Sequence, residues 1–157
     1  MALQTIGQVR VDVDRTTAFN FVRDPLSLAA CIPGCKDLRE TSPGVYSAVL
    51  TNEIAFITLS FKVRVEVIKI EAPDTIEAKI TGETIGLAGR VIANAALVLL
   101  EVGPAQTDIR YTANISIAGK LGGLGEPVFR AKSAEVSKQF GANLRNAIEQ
   151  LAAKAGS

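Results

Sequence analysis

Between Lys36 and Gly119 apolar and polar residues alternate with a period of two. In the longest run Ile57, Leu59, Phe61, Val63, Val65 and Val67 share one face, and Thr58, Ser60, Lys62, Arg64 and Glu66 share the other. That pattern predicts a strand with one buried face. The phase slips at Val67–Ile68, after which Ile68 and Ile70 hold the apolar positions, so a bulge that bends the sheet is expected there. The same alternation predicts strands over Leu3–Val13, Lys36–Thr41, Val45–Asn52, Ile57–Ile70, Thr75–Glu83, Gly89–Glu101 and Thr107–Gly119. In the last of these Ile109, Tyr111, Ala113, Ile115 and Ile117 are predicted to face inward, opposite Asp108, Arg110, Thr112, Asn114 and Ser116. The turns Ser42-Pro43-Gly44, Ala72-Pro73-Asp74 and Gly103-Pro104 are short enough for an antiparallel meander.

Two interruptions have helical character. Asp14 is placed to cap a helix over Arg15–Arg23, with Ala18, Phe19 and Val22 inward. Asp24-Pro25 restarts the chain, since Pro suits a first helical position, and predicts a second short helix from Leu26 to about Cys31. Past the glycine-rich Gly119–Gly125 the period changes again. Phe129, Val136, Phe140, Leu144, Ala147, Ile148 and Leu151 fall on one face of a helix from Glu126 to about Lys154. The reading is an α+β fold, a seven-stranded antiparallel curved sheet wrapped around a long C-terminal helix, with two short helices after the first strand, as one domain over 1–157. Period alone leaves open whether the space between sheet and helix is a cavity or a filled core.

Composition narrows the function. The 157 residues suit one ordinary domain, and 17 Lys+Arg against 16 Asp+Glu leaves no cationic surplus for nucleic acid. The longest apolar stretch, Val91–Leu100, is interrupted by Asn94 and is too short to span a bilayer. The N-terminal MALQTIGQVR lacks a basic segment followed by an apolar block, so a cytoplasmic location is expected. The chain has no histidine, which removes the commonest general base and most transition-metal sites. Cys31 and Cys35 are its two cysteines; they are too few for a structural zinc site and lack the spacing of thioredoxin-type motifs.

Asp24-Pro25, Leu28-Ala29-Ala30-Cys31-Ile32-Pro33-Gly34-Cys35, Gly44-Val45-Tyr46 and the junction Gly119-Lys120-Leu121-Gly122 together resemble the CoxG family of the START/birch-pollen-allergen superfamily, the family of the CO dehydrogenase G subunit. The resemblance implies a helix-grip fold and a non-catalytic accessory protein that binds a quinone or lipid, with no covalently bound cofactor. It also implies association with a molybdenum-containing CO dehydrogenase or related hydroxylase, and transient, peripheral contact with a membrane. Two departures stand out: Pro127 with extra glycines at Gly122, Gly123 and Gly125, and a Gly89–Glu101 strand apolar on both faces through Ile92, Ala96 and Val98.

The expected lining of the ligand space is Leu59, Phe61, Ile80, Leu97, Tyr111, Ile115, Phe129 and Phe140, with the hydroxyl of Tyr46 or Tyr111 weighed as a partner for a quinone carbonyl against an ordinary backbone partner. Strand direction puts the loops after the third, fifth and seventh strands at one end. Their apolar tips, Ile54, Phe56, Ile85, Leu87, Leu121 and Leu124, are read either as the cavity mouth, touching the membrane near Lys120 and Arg90, or as a hydrophobic cluster closing that end. Glu53, Glu83 and Glu126 are read as solvated loop charges rather than acid–base groups, and the cysteines as small apolar residues of a corner rather than a redox switch. An enzyme of the cyclase or hydrolase type, an interaction protein with a filled core that uses the Ile92/Ala96/Val98 face, and a homodimer remain alternatives.

Overall fold

A computed structural model describes residues 1–155. The order is β1 (Ala2–Val11), α1 (Arg15–Val22), α2 (Pro25–Ala29), β2 (Cys35–Ser42), β3 (Val45–Ile54), β4 (Ile57–Glu71), β5 (Thr75–Thr84), β6 (Gly89–Gly103), β7 (Gln106–Gly119), a 3-10 turn (Lys120–Leu124) and α3 (Glu126–Ala155). The strands form one antiparallel sheet in the order β1-β7-β6-β5-β4-β3-β2, and α3 lies on its concave face. This is the helix-grip architecture that the two periods predict, with element ends shifted by a residue or two.

Local chemistry explains the breaks. Asp14 caps α1 by accepting from the Thr17 amide at 3.1 Å and the Thr17 hydroxyl at 2.6 Å. Asp24 stands at the cap position of α2 but accepts from the Ser27 hydroxyl at 2.6 Å, with Pro25 opening the helix. The β4–β5 register slips between Val67 and Lys69. The bulge keeps Val67, Ile68 and Ile70 on the concave side and turns Lys69 outward to Glu71 and Glu77, at 3.3 and 3.7 Å.

Two residues of the outward face depart from its usual character. Ile6, an apolar residue within the strand predicted over Leu3–Val13, shares the outward face with Gln8 and Arg10 and is 68% exposed, because the inward parity in β1 belongs to Leu3, Val9 and Val11. Asp108 faces outward yet is buried, because Arg10 of the neighbouring strand folds over it in a two-pronged pair of 2.7 and 3.2 Å.

The core divides in two. One cluster gathers Val11, Phe19, Val22, Cys31, Leu97, Leu99, Ile109, Leu144 and Ile148. The other gathers Leu3, Ile54, Leu59, Phe61, Ile117, Leu121 and Phe129 at the opposite end of the sheet. Between them the register aligns Ala78, Ala95 and Ala113 across β5, β6 and β7. These short side chains leave space above the middle of the sheet.

Tyr111 sets the position of α3. Its ring lies over its register partner Gly7, its hydroxyl donates to the Ser137 carbonyl at 2.9 Å, and it meets Phe140 edge-on at 5.1 Å. A Cβ at Gly7 or Gly141 would overlap the ring or the hydroxyl. Both glycines are therefore requirements of close approach, and the contact holds α3 toward the β1 edge. The concave faces of β3–β5 are left to α1 and α2.

Candidate functional site

A cavity of about 430 Å³ fills that uncovered half. Its floor is the inward face of β3–β5, with Tyr46, Ala48, Leu50, Val63, Val65, Val67, Ala78 and Ile80; its roof is Val22, Pro25, Leu28, Ala29 and Ile32; and Cys35 and Leu38 of β2 close one side. Alternation builds the floor, since Leu50, Ala48 and Tyr46 stand beside Phe61, Val63 and Val65 in register. The Pro33-Gly34 corner builds the side wall by folding β2 back beneath α2, and Asn52 fastens it with a bond of 3.3 Å to the Pro33 carbonyl.

Four lining residues carry ionisable side chains: Arg23, Cys35, Tyr46 and Lys69. Burial raises the Cys35 and Cys31 thiols above their usual range, which disfavours the thiolate. Both are free thiols, and Cys31 donates to the Ser27 carbonyl at 3.6 Å. The Tyr46 hydroxyl is also pushed up, first by burial and then by its hydrogen bond to Glu40 and the nearby Glu40 and Asp24 charges. It stays protonated at neutral pH and serves as a donor. Among the described residues no three His, Cys, Asp or Glu side chains come together as metal ligands.

The residues expected at the site fall in four places. Tyr46 and Ile80 line the cavity. Leu59, Phe61, Phe129 and Ile54 are buried in one core cluster, with Ile115 and Leu124 at its margin. Leu97 is buried in the other, with Tyr111 and Phe140 at its margin. These two groups stand at the ends of the cavity rather than along it, because α3, which carries Phe129 and Phe140, is drawn to the β1 side. Phe56, Ile85 and Leu87 are exposed at the loop end, at 94%, 52% and 37%.

The loop tips are therefore not the mouth. Ile54 and Leu121 turn inward and close that end with Leu59, Phe61 and Phe129. The exposed members of the lining are Arg23, Ile68, Lys69 and Ile70, which lie toward the Gly44 turn at the other end. Of these, only the phase slip at Val67–Ile68 left a signal in the sequence. The apolar residues of α1 and α2 read equally well as core.

The model of the family described as the G subunit of carbon monoxide dehydrogenase (CoxG) matches residues 7–149. The chain belongs to the CoxG family. Solved structures resemble this CoxG-family chain over nearly its whole length. A conserved protein from Geobacillus kaustophilus superposes with a TM-score of 0.84 at 23% identity, covering 94% of this chain and 96% of that one. A START superfamily protein from Mycobacterium smegmatis superposes at 0.73 with 15% identity, covering 94% and 98%. The Zhui aromatase/cyclase from Streptomyces sp. R1128 superposes at 0.61 with 15% identity, covering 100% and 97%. At these identities the likeness is one of fold. No curated protein matches the sequence. No helix among the described residues is long and apolar enough to cross a membrane.

Proposed function

We propose that this CoxG-family protein binds an apolar small molecule, a quinone or a lipid, in the cavity between α1–α2 and β3–β5, and holds it without chemical change. The observation that carries this reading is the wall itself: about 430 Å³ lined mostly by aliphatic side chains, with its cations at the mouth and the Tyr46 ring in the floor. That volume lies toward the small end of ordinary ligand pockets. It suits a ring or the first part of a chain, and the exposed Ile68 and Ile70 continue the apolar track outward for a tail. To meet a ligand carbonyl, the Tyr46 hydroxyl exchanges its bond to Glu40 for one to the ligand. No nucleophile stands beside a base in this wall, which favours binding over turnover.

The family membership supports a role as an accessory subunit of a molybdenum-containing CO dehydrogenase or a related hydroxylase. In this reading the exposed tips Phe56, Ile85 and Leu87 make weak, reversible contact with a membrane. The test begins with organic extraction of the purified protein and mass spectrometry, followed by titration with a short-tailed quinone and with a fatty acid. Ala78→Phe, which projects a ring into the cavity from mid-floor, is expected to weaken binding about tenfold or more without lowering the melting temperature, since it fills space rather than creating it. Failure of both ligands to bind, or equal binding by the variant, removes the carrier reading. Turnover that vanishes in Tyr46→Phe points to an enzyme instead.

A further inference from the structure

The two edges of the sheet differ. β2 is blunted, with register slips at Lys36/Arg39 and Glu40/Ser42, Asp37 at a φ of 58°, and charges along its length. Such features discourage further strand pairing. β1 lacks the slips and the positive φ: its register with β7 runs from Ala2 to Val11 unbroken, Gln4, Thr5, Ile6, Gly7 and Gln8 are uncharged, and the one charge of the strand, Arg10, is folded over Asp108.

The direction of the backbone groups of β1 follows from its first pair. Met1 and Ile117 exchange both bonds, at 3.1 and 2.8 Å. Antiparallel pairs alternate, so the odd residues bond to β7 and the amides and carbonyls of Gln4, Ile6 and Gln8 point to the open edge. No group among the described residues takes them up. They open on a cleft of about 460 Å³ between β1 and α3, in which Arg130 and Lys138 flank the small Ala134. No carboxylate lines this cleft. Arg130 pairs with Glu126 at the helix start, and Lys138 has no ion pair among the described residues.

We propose that this edge is a docking groove for an extended acidic segment of a partner protein, which adds to β1 as an eighth strand. The open amides and carbonyls supply the main-chain bonds, as in other strand additions, and the two cations set the side-chain preference. Arg130 and Lys138 are about 12 Å apart along the helix. Acidic residues four apart on one face of a strand span about 13 Å. A second copy of this chain is the poorer occupant, because pairing β1 with β1 about Ile6 sets Arg130 and Lys138 of one copy against those of the other. The proposal does not depend on what the cavity holds.

The test uses the full chain and a labelled Thr/Val peptide carrying Glu at two positions about four residues apart, compared with the same peptide carrying Lys. The Glu peptide is expected to bind in fluorescence anisotropy and to protect the Gln4, Ile6 and Gln8 amides from hydrogen exchange. Lys138→Glu, an exposed change, is expected to shift the preference toward the Lys peptide. Ile6→Pro removes one edge amide without touching the β7 ladder and is expected to weaken binding about tenfold. Equal binding of the two peptides by wild type, or edge amides left unprotected, overturns the proposal. So does a sedimenting dimer that Ile6→Pro converts to monomer, which would assign the edge to a second copy.

Discussion

The side-chain amide of Asn143 donates to the Cys31 carbonyl across 3.0 Å, tying α3 to the corner where α2 gives way to β2. Gln139 donates to the oxygen of the same amide at 3.1 Å and so orients it. Cys31 is buried, and its corner forms part of the cavity wall. Asn143→Ala leaves that carbonyl unpaired and is expected to cost about 1–3 kcal/mol while loosening the roof over the ligand. Urea unfolding and ligand titration measure the two effects. A loss under about 0.5 kcal/mol with unchanged binding would mean that water replaces the amide without consequence.

Gly141 lies within α3, where alanine ordinarily stabilises a helix by about 1 kcal/mol. Here the sign is expected to reverse, because the added methyl meets the Tyr111 hydroxyl. Gly141→Ala is predicted to destabilise by about 1–3 kcal/mol, and Tyr111→Phe by about 0.5–1.5 kcal/mol through the lost bond to Ser137. In the double variant the losses are expected to fall short of their sum, since the methyl no longer meets a hydroxyl. Thermal unfolding of the four proteins decides; strict additivity would deny the contact.

Phe56 sits in a tight turn where it and Ala55 both have positive φ, 65° and 51°. A bulky residue in that conformation is uncommon and strained, and the turn holds the ring in solvent. With Ile54 and Leu121 buried, the tips free for a membrane are Phe56, Ile85 and Leu87. Each is worth roughly 1.5–3 kcal/mol if fully inserted, so partial insertion is expected to give binding no tighter than a single myristoyl chain, with K of order 10⁴ M⁻¹. Liposome co-sedimentation is expected to fall for Phe56→Asp and for Ile85→Asp, with folding intact. Greater loss in Ile68→Asp would move the contact to the cavity mouth, and indifference of wild type to liposomes would dismiss it.

The Arg10–Asp108 pair predicts a pH dependence. The hydrogen bond from Arg10 holds the Asp108 carboxyl below its usual range, outweighing the burial that would raise it, and the charges of Arg10 and Arg110 add to the lowering. A carboxyl with a lower pKa in the folded state stabilises the protein above its unfolded value, near 3.9. That contribution is lost as pH falls toward and through the folded value. Arg10→Gln is therefore expected to be less stable than wild type at neutral pH, with a difference that shrinks at acid pH, once the pH has fallen below the unfolded carboxyl's value. Urea midpoints at the two pH values measure it, and an equal difference at both would show that the pair carries no linkage.

Local pattern along the chain was enough to specify the elements and their facing. Alternation across Ile57–Val67 specifies a strand and its buried side, the slip at Ile68 specifies a bulge, and the spacing from Phe129 to Leu151 specifies a helix, because these periods follow from the local geometry of the backbone. Pattern does not distinguish inward residues that pack from those that face open space. Leu59 and Val65 carry the same pattern, but Leu59 is sealed in a core cluster and Val65 lines the cavity. Period specifies a side of the sheet; occupancy depends on where α3 comes to rest across it. That position is set in three dimensions, by Tyr111 seated over Gly7 and against Gly141. The same displacement toward β1 opened the cavity under α2, buried Phe129 beyond its far end, and laid α3 beside the free edge of the sheet.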